Sequence, residues 1–425
     1  MQNEEQSTEE SNRMLRNKKQ KKVIITASIV ILLIVTNCTS FVAGGFLTFN
    51  GVFPWIRDKV IAQKLDGISD VSKYKKLFAI RDTIYKKYDG EIDDNKLLDG
   101  AIKGMSQALG DPYTYYMDAK EYKNYMDKVN GSFLGLGINI TAKNDKIYVI
   151  KPQKGSPAEK AGIKSGDYIL KVNGKSYTGA QLDDAIAVMK GDKKEEVKLT
   201  ILRGDNQTLE IGVVRDEIKN ESVSGEMVTS NIGYIMVSGF ELYTADDFNA
   251  KLAELKKAGM KGLILDLRDN PGGYLFAAVN LVSNFIPKDK LVVSTIDKYN
   301  SKEESLSKGG EAIGMPLVLL VNGNSASASE IVSGAVRDYK IGTLVGERTF
   351  GKGIVQVTLE DKKDGSALKV TISKYYSPLG INIHKKGIAP DVEVKYPKEL
   401  LDKPYDRTKD PQFKKALEIV QDKIK

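Results

Sequence analysis

Three serines stand at alternate positions in residues 324–330, directly after the apolar run 316–321. Where a strand turns into a helix, a side chain is exposed, and the free N–H groups of the first helical turn favour a developing negative charge. A serine of this segment is therefore a candidate nucleophile. Serine also caps helices well, and on this segment alone capping remains the simpler interpretation.

A serine nucleophile needs a base to remove its proton. A Ser–His–Asp triad would have to use His384, the only histidine of the chain, which lies on the polar end of a predicted strand where a surface position is expected. Lysine is the other known base, but its pKa must fall from about 10.4 towards 7, which requires burial or neighbouring cations. Lys352 lies between Gly351 and Gly353 and beside apolar residues, surroundings in which a lysine can be buried.

Residues 346–352 also come close to matching the motif of a phosphate-binding P-loop. The residue after Lys352 is Gly353, so the hydroxyl that ligates magnesium in such loops is missing. Residues 354–359 alternate like a strand instead of opening a helix. The sequence therefore argues against nucleotide binding.

The elements that must position these residues are predicted to be strands alternating with helices. Strands are expected over residues 232–237, 262–267 and 316–321, and helices over 245–258 and 326–337. This alternation indicates a layered α/β core. Residues 71–130 have helical apolar spacing, broken at residues 110–112.

Near Gly131 the pattern changes to short strands. Residues 156–174 resemble the PDZ domain of bacterial housekeeping proteases, and the resemblance covers about residues 129–218. In the loop before them, Gly135 and Gly137 free the backbone, so that N–H groups can point at the C-terminal carboxylate of a peptide, and the adjacent strand can pair with the extended peptide. The predicted peptide-binding residues are Gly135, Leu136, Gly137 and Ile138.

The N-terminus predicts a membrane anchor. No charged residue occurs between Val23 and Ile56, and six basic residues precede this run. About 20 apolar residues span a bilayer, and basic flanks stay in the cytoplasm. We therefore expect a cytoplasmic tail over residues 1–22, a transmembrane anchor over 23–47, a linker over 48–70 and an exported remainder. A cleaved signal peptide is the rival, but the run lacks a clear small-x-small cleavage site.

Composition narrows the partners. The formal net charge is +8, but 64 basic and 56 acidic residues are interspersed and form no basic stripe, so we predict a solvated surface and no nucleic-acid partner. Cys38 is the only cysteine, which excludes an intramolecular disulfide.

Residues 71–425 resemble the carboxyl-terminal processing peptidases, also called tail-specific proteases, which are S41 family serine peptidases. The resemblance lies in five stretches: residues 109–112, 265–273, 325–330, 350–356 and 387–391. It implies a crotonase-like layered α/β protease core over residues 219–395, with an inserted PDZ-like β-rich domain (129–218), an N-terminal helical region (71–128) and a C-terminal helical tail (396–425).

The resemblance also implies roles for individual residues. Ser327 is the nucleophile, Lys352 the general base, and Gln356 orients the lysine. The oxyanion hole would use the N–H groups of Ala328 and of the Gly272–Gly273 turn. We predict a membrane-anchored endopeptidase for exported proteins with apolar C-termini, with neither cofactor nor metal ion. A non-catalytic PDZ scaffold is the alternative. The 71–130 helices and the tail suit a homodimer.

Two further points concern charged residues. Related PDZ segments often carry an Arg-Gly pair where this chain has Lys190-Gly191, and lysine keeps the charge but loses the planar fork of arginine. The coupling of the PDZ-like module to the active site is therefore less certain than the dyad. For Asp266, Arg268 and Asp269, turn chemistry and ion pairing are the expected roles.

Overall fold

The computed structural model describes residues 71–204, 207–401 and 403–424. Within these ranges no helix is long and apolar enough to cross a bilayer. The predicted anchor (residues 23–47) and linker (48–70) lie outside them. The chain divides into two compact units, residues 1–94 and 95–425.

The helices are α1 (Lys75–Lys87), α2 (Asp94–Gln107), α3 (Ala119–Asn130), α4 (Pro157–Lys160), α5 (Leu182–Met189), α6 (Thr244–Lys257), α7 (Leu275–Val282), α8 (Ala328–Tyr339) and α9 (Pro411–Ile424). Short 3-10 helices cover Val71–Tyr74, Gly179–Gln181, Ser283–Phe285, Lys398–Leu400 and Arg407–Lys409. In the first unit, α1 buries none of its side chains among the described residues.

The strands are β1 (Tyr115–Met117), β2 (Ser132–Gly135), β3 (Ile138–Lys143), β4 (Lys146–Pro152), β5 (Tyr168–Val172), β6 (Lys175–Ser176), β7 (Glu196–Arg203), β8 (Gln207–Val214), β9 (Asp216–Lys219), β10 (Val223–Met227), β11 (Ile232–Val237), β12 (Gly262–Asp266), β13 (Leu291–Asp297), β14 (Lys302–Leu306), β15 (Leu317–Val321), β16 (Thr343–Gly346), β17 (Ile354–Glu360), β18 (Ala367–Tyr376) and β19 (Val392–Glu393).

The α/β core is built on a six-stranded sheet of order β10–β11–β12–β15–β16–β19, parallel except for the β10–β11 pair. Its central strands are apolar runs buried on both faces, as a parallel sheet covered by helices requires. On β12, Leu263 and Leu265 face the cluster of α6, α7 and α8, and Ile264 faces α9. The core is therefore a layered α/β structure, as the sequence predicted, and it has helices on both faces of this sheet.

A second sheet holds the strand that follows Lys352. Here β18 pairs with β17 along one edge and with β1 and β13 along the other, and β14 completes the sheet. The sequence predicted only helices over residues 71–130. The structure corrects this, because Tyr115–Met117 form β1, which pairs with β18 of the second sheet.

The predicted PDZ-like region is a separate small sheet of order β3–β4–β5–β7–β8, with β6 on β5 and its own apolar cluster. In this order β3 is an edge strand. The region enters and leaves the α/β core at one place, because β2 pairs with β9 and Asn220 N donates to Gly131 O at 2.7 Å. It is therefore an insertion whose two ends meet.

The C-terminal helix α9 packs on the outer face of the core sheet through Phe413, Ala416 and Val420. A buried ion network anchors the start of this helix, since Arg268 bonds both Asp266 (2.6 Å) and Asp410 (2.7 Å). The apolar face of the tail is thus occupied by its own chain.

Candidate active site

The three serines have different surroundings. The Ser325 hydroxyl donates to Leu267 O (2.7 Å) and that of Ser329 to Asn270 O (2.9 Å), and both side chains are fully buried. Their hydroxyls hold the start of α8 against the loop after β12. Ser327 is half-buried and has a positive φ of 54°, which non-glycine residues rarely adopt and which is often found at functional turns.

The backbone of Ser327 is fixed from two sides. Burial raises the pKa of Tyr375 well above its usual value, so its hydroxyl stays protonated and donates to Ser327 O at 3.1 Å. On the other side, Ser327 N donates to the carboxylate of Glu330 at 2.9 Å. The first residue before α8 is therefore held rigidly in its unusual conformation.

Glu330 joins the serine segment to the lysine segment. Its Oε2 accepts from the N–H of Ser327 (2.9 Å) and of Lys352 (2.8 Å), and its Oε1 from Gly351 N (2.8 Å) and Thr349 Oγ1 (2.6 Å). Because one oxygen atom binds both N–H groups, the two candidate residues are brought together. The sequence reasoning missed this role, although a glutamate three residues after a helix-starting serine is the capping-box pattern.

Lys352 depends on the glycines beside it. A Cβ at Gly351 would lie 2.9 Å from Gly387 N, and one at Gly353 2.6 Å from His384 N. Gly351 also has a φ of 93°. The lysine loop therefore lies directly against residues 384–387, and a side chain at either position would push them apart. As predicted, a strand, β17, follows this loop instead of a helix.

The surroundings of Lys352 favour its neutral amine. Burial, together with the nearby Lys369 cation, lowers the pKa of Lys352 to about 8, although Asp111 and Glu330 act in the opposite direction. Its Nζ lies over the ring of Tyr113, 4.6 Å from the centroid. A substantial fraction of this lysine is thus neutral near pH 8.

The glycine turn lies beside the serine. Gly272 has a φ of 102°, and a Cβ there would lie 2.8 Å from Ser327 Cβ and 3.0 Å from Ala328 N. Its own N–H donates to Asn270 Oδ1 at 2.9 Å. Among the described residues no acceptor is bonded to the N–H of Gly273 or of Ala328.

Gln356 and His384 lie around the lysine loop. The Gln356 amide donates to Thr371 Oγ1 at 3.3 Å on the neighbouring strand β18. His384 is half-buried with an unpaired Nδ1, and no hydrogen bond joins it to Ser327 in the described part of the chain.

The acidic residues after β12 have structural partners. Asp266 and Arg268 belong to the ion network that anchors α9, and Asp269 Oδ1 accepts from the amides of Asn322 (2.9 Å) and Asn324 (2.8 Å). These contacts are the ion pairing and turn chemistry that the sequence favoured over catalysis.

The predicted peptide-binding loop borders a groove of about 500 Å³ between edge strand β3 and helix α5. Leu136, Gly137 and Ile138 line it, with Ile186 and Met189 of α5 opposite. Gly135 lies at the end of β2, just before these residues. Lys190 closes one end, with its Nζ 4.1 Å from the centroid of the Phe133 ring. An apolar groove beside an unpaired strand edge suits an extended peptide.

This architecture defines a class of protein: a serine peptidase with a separate domain that holds peptides. Residues 231–394 match the model of peptidase family S41, residues 126–202 that of the PDZ domain, and residues 46–121 that of the activating protease CtpB N-terminal domain.

Two sequence relatives agree with this class. The carboxy-terminal processing protease CtpA of Bacillus subtilis (strain 168) is 41% identical over 338 residues, which cover 80% of this chain and 72% of that protein. A probable CtpA-like serine protease of Staphylococcus haemolyticus (strain JCSC1435) is 40% identical, covering 79% and 68%. The photosystem II D1 C-terminal processing protease aligns over 75% of this chain and 86% of its own, with 29% identity and a TM-score of 0.45.

At this level of identity over most of both sequences, the chain belongs to peptidase family S41. It is a serine protease of the carboxy-terminal processing kind and carries a PDZ domain. The resemblance stated from the sequence motifs is thereby confirmed.

Proposed function

We propose that this enzyme cleaves peptide bonds with a Ser327–Lys352 dyad. The observation that carries the proposal is the Glu330 carboxylate, which accepts hydrogen bonds from the backbone N–H groups of both residues. In addition, Ser327 is half-buried, whereas Ser325 and Ser329 on either side of it are fully buried. The lowered pKa of Lys352, about 8, supplies a base that is partly neutral under mildly alkaline conditions.

The proposed reaction uses the two residues in turn. Neutral Lys352 Nζ takes the proton of Ser327 Oγ while the oxygen attacks the carbonyl carbon of the substrate. The ammonium then returns this proton to the leaving amine, and the C–N bond breaks to give an acyl-enzyme. Water, deprotonated by the same lysine, attacks the ester carbon. The Ser327 Oγ–C bond then breaks, the lysine ammonium gives the proton to Ser327 Oγ, and the new carboxyl end of the substrate is released.

The tetrahedral oxyanion needs N–H donors that are not already used. Because Gly272 N–H is bonded to Asn270, we assign the donors to Gly273 N–H and Ala328 N–H. Gly272 has a packing role, since its missing side chain lets the turn approach Ser327. Of the three residues that the sequence suggested for the oxyanion hole, the proposal therefore keeps Gly273 and Ala328 as donors and leaves out Gly272.

A covalent probe tests the nucleophile. A fluorophosphonate should form a Ser327 Oγ–P bond with loss of fluoride, and peptide mapping by mass spectrometry should find this adduct on Ser327. Ser325 and Ser329 should stay unlabelled, because their hydroxyls are buried in hydrogen bonds to the core. An adduct on either flanking serine would refute the assignment.

We further propose that the PDZ domain selects substrates by their C-terminal ends. The free edge of β3 can pair with an extended peptide, and the apolar groove beside it accepts apolar side chains. The N–H groups near Leu136 and Gly137 would hold the terminal carboxylate.

Ile186→Glu tests this role. The half-buried Ile186 lines the groove, and a glutamate there would place a charge in an apolar site and repel the peptide carboxylate. We expect KM for a peptide with an apolar C-terminus to rise about tenfold, with kcat little changed. The neighbouring, exposed Ala187→Glu is the matched control. Unchanged selectivity in Ile186→Glu would contradict the proposal.

Location is proposed from the sequence. The uncharged run of residues 23–47 behind six basic residues supports a single-pass anchor with the catalytic part outside the cytoplasm, where exported proteins would be its substrates. Sedimentation of the full-length chain with membranes after carbonate washing checks this proposal.

Assembly is proposed from the first unit. Helix α1 exposes Leu77 (45%), Phe78 (61%) and Ile80 (50%), a set of apolar side chains that a second copy would cover. Light scattering during gel filtration measures whether the chain is a homodimer.

A further inference from the structure

The loop of residues 110–114, called here the Asp111 loop, follows α2 and is closed by one carboxylate. Tyr113 N donates to Asp111 Oδ1 at 3.0 Å, and Thr114 Oγ1 donates to Asp111 Oδ2 at 2.7 Å. Asp111 also accepts from Thr371 Oγ1 at 2.7 Å, and Thr371 N donates to Thr114 Oγ1 at 3.0 Å. The loop is therefore attached to β18, about 260 residues further along the chain.

The polarity of these bonds fixes Gln356. An ionised carboxylate only accepts, so Thr371 must give its hydroxyl proton to Asp111. The Thr371 oxygen can then only accept, and it does so from Gln356 Nε2 at 3.3 Å. The Gln356 amide is thereby oriented with its carbonyl oxygen at the free end, which is the acceptor that a lysine N–H needs.

The same loop faces the lysine. The Tyr113 ring covers Lys352 Nζ at 4.6 Å. The charged groups around Lys352 come from three elements: Lys369 of β18, Glu330 of α8, and Asp111 of the loop. Glu330 already accepts hydrogen bonds from four donors of the two catalytic segments. The second negative charge near Lys352 is that of Asp111, which the Asp111 loop supplies.

Neighbouring groups leave the charge of Asp111 intact. Although burial acts to raise it, the hydrogen bonds from Thr371, Thr114 and Tyr113 hold the pKa of Asp111 below its usual value. Burial lowers the pKa of the nearby His384, with help from Lys385 and Lys374. Near pH 8, Asp111 is therefore negative and His384 neutral.

We propose that Asp111 is a positioning residue for catalysis: through Thr371 it orients the amide of Gln356, and its carboxylate supplies a negative charge that faces Lys352. This inference rests on the proposed dyad. It assigns a function to the motif of residues 109–112, which turn geometry alone would explain. It makes the Asp111 loop part of the active site, although the loop precedes the PDZ domain in sequence.

Two substitutions separate the two effects. Asp111→Asn removes the charge and keeps an acceptor for Thr371. Thr371→Val keeps the charge and the β-branched shape but breaks the link to Gln356. Asp289→Asn is the control, because Asp289 is exposed and has a φ of 63°, which asparagine tolerates.

The readout is kcat/KM against pH for a peptide with an apolar C-terminus, measured on the full-length chain. Loss of a facing anion disfavours the ammonium form of Lys352 and so lowers its pKa. In Asp111→Asn, the fall of kcat/KM at low pH, called here the acidic limb of the profile, should therefore move to lower pH by about half a pH unit or more. Thr371→Val should leave the limb in place and lower the high-pH plateau about tenfold. Asp289→Asn should change neither.

A second measurement is independent of turnover. The pH dependence of Lys352 acetylation, followed by mass spectrometry in Ser327→Ala, should shift in the same direction when Asp111→Asn is added. An unmoved limb together with unmoved acetylation would overturn the charge role, and an undiminished plateau in Thr371→Val would overturn the orienting role. If Asp111→Asn fails to fold by circular dichroism, Thr371→Val still decides the orienting role, and an undiminished plateau there would overturn the proposal. If Lys352→Met remains active, the proposed Ser327–Lys352 dyad is refuted. This result differs from the results that would refute only the role of Asp111.

Discussion

Replacement of Lys352 by methionine is expected to lower kcat/KM about 10³-fold or more, since a positioned general base contributes about 10²–10⁴-fold. Methionine preserves the apolar stem against the Tyr113 ring, so the loss reports the missing amine instead of a cavity. Initial rates on a peptide with an apolar C-terminus measure it.

The same variant should be more stable than the wild type at neutral pH. The pKa of Lys352 is about 8 in the folded chain against about 10.4 when unfolded, so the unfolded state binds more protons between these values. Wild-type stability therefore rises as the pH increases from about 8 to about 10. Lys352→Met should gain about 1–3 kcal/mol below pH 8, and this gain should fade towards pH 10.

Thermal unfolding across this pH range checks the prediction. Lys362→Met, at an exposed turn position, is the matched control and should change neither activity nor the pH dependence of stability. A Lys352→Met enzyme with wild-type turnover would remove lysine from the mechanism. Ser327→Ala should lose activity to a similar extent without the gain in stability.

Glu330→Gln is expected to cost both activity and stability. The carboxylate accepts four hydrogen bonds, and an amide oxygen can serve only one of the two donor pairs. The amide nitrogen would then face two buried N–H or O–H donors, each left unsatisfied at about 1–3 kcal/mol. We expect kcat/KM to fall about 10²-fold and the free energy of unfolding to fall by about 2–4 kcal/mol.

Activity and thermal unfolding of Glu330→Gln should be compared with those of the exposed Glu360→Gln. Because Glu330 acts by holding Ser327 and Lys352 in place, raising the pH should not restore turnover. Full activity in Glu330→Gln would show that the two segments keep their positions without this carboxylate.

Local patterns predicted the layered core well. The strand at residues 232–237 was predicted with the bounds that β11 has, and the helices after β11 and β15 differ by one to two residues at each end. Buried parallel strands are continuous apolar runs, and such runs are visible in the sequence without knowledge of their partners.

Long-range hydrogen bonds could not be predicted in this way. Nothing local indicates that Asp111 bonds Thr371, or that Thr349 bonds Ile388 of the 387–391 motif. The occupied N–H of Gly272 was equally hidden, because it depends on the rotamer of Asn270. The motifs indicated which segments form the candidate site, and the fold was needed to show which of their atoms are already engaged.

The meeting of the two PDZ ends at Gly131 and Asn220 has a consequence for how such enzymes diversify. An insertion whose ends already touch adds little closure entropy to the host core, and domains joined in this way tolerate exchange. A module with a different groove could therefore replace residues 132–219 without rebuilding the core sheet or moving Ser327. Selection on what is recognised and selection on how it is cut would then act on separable pieces of one gene.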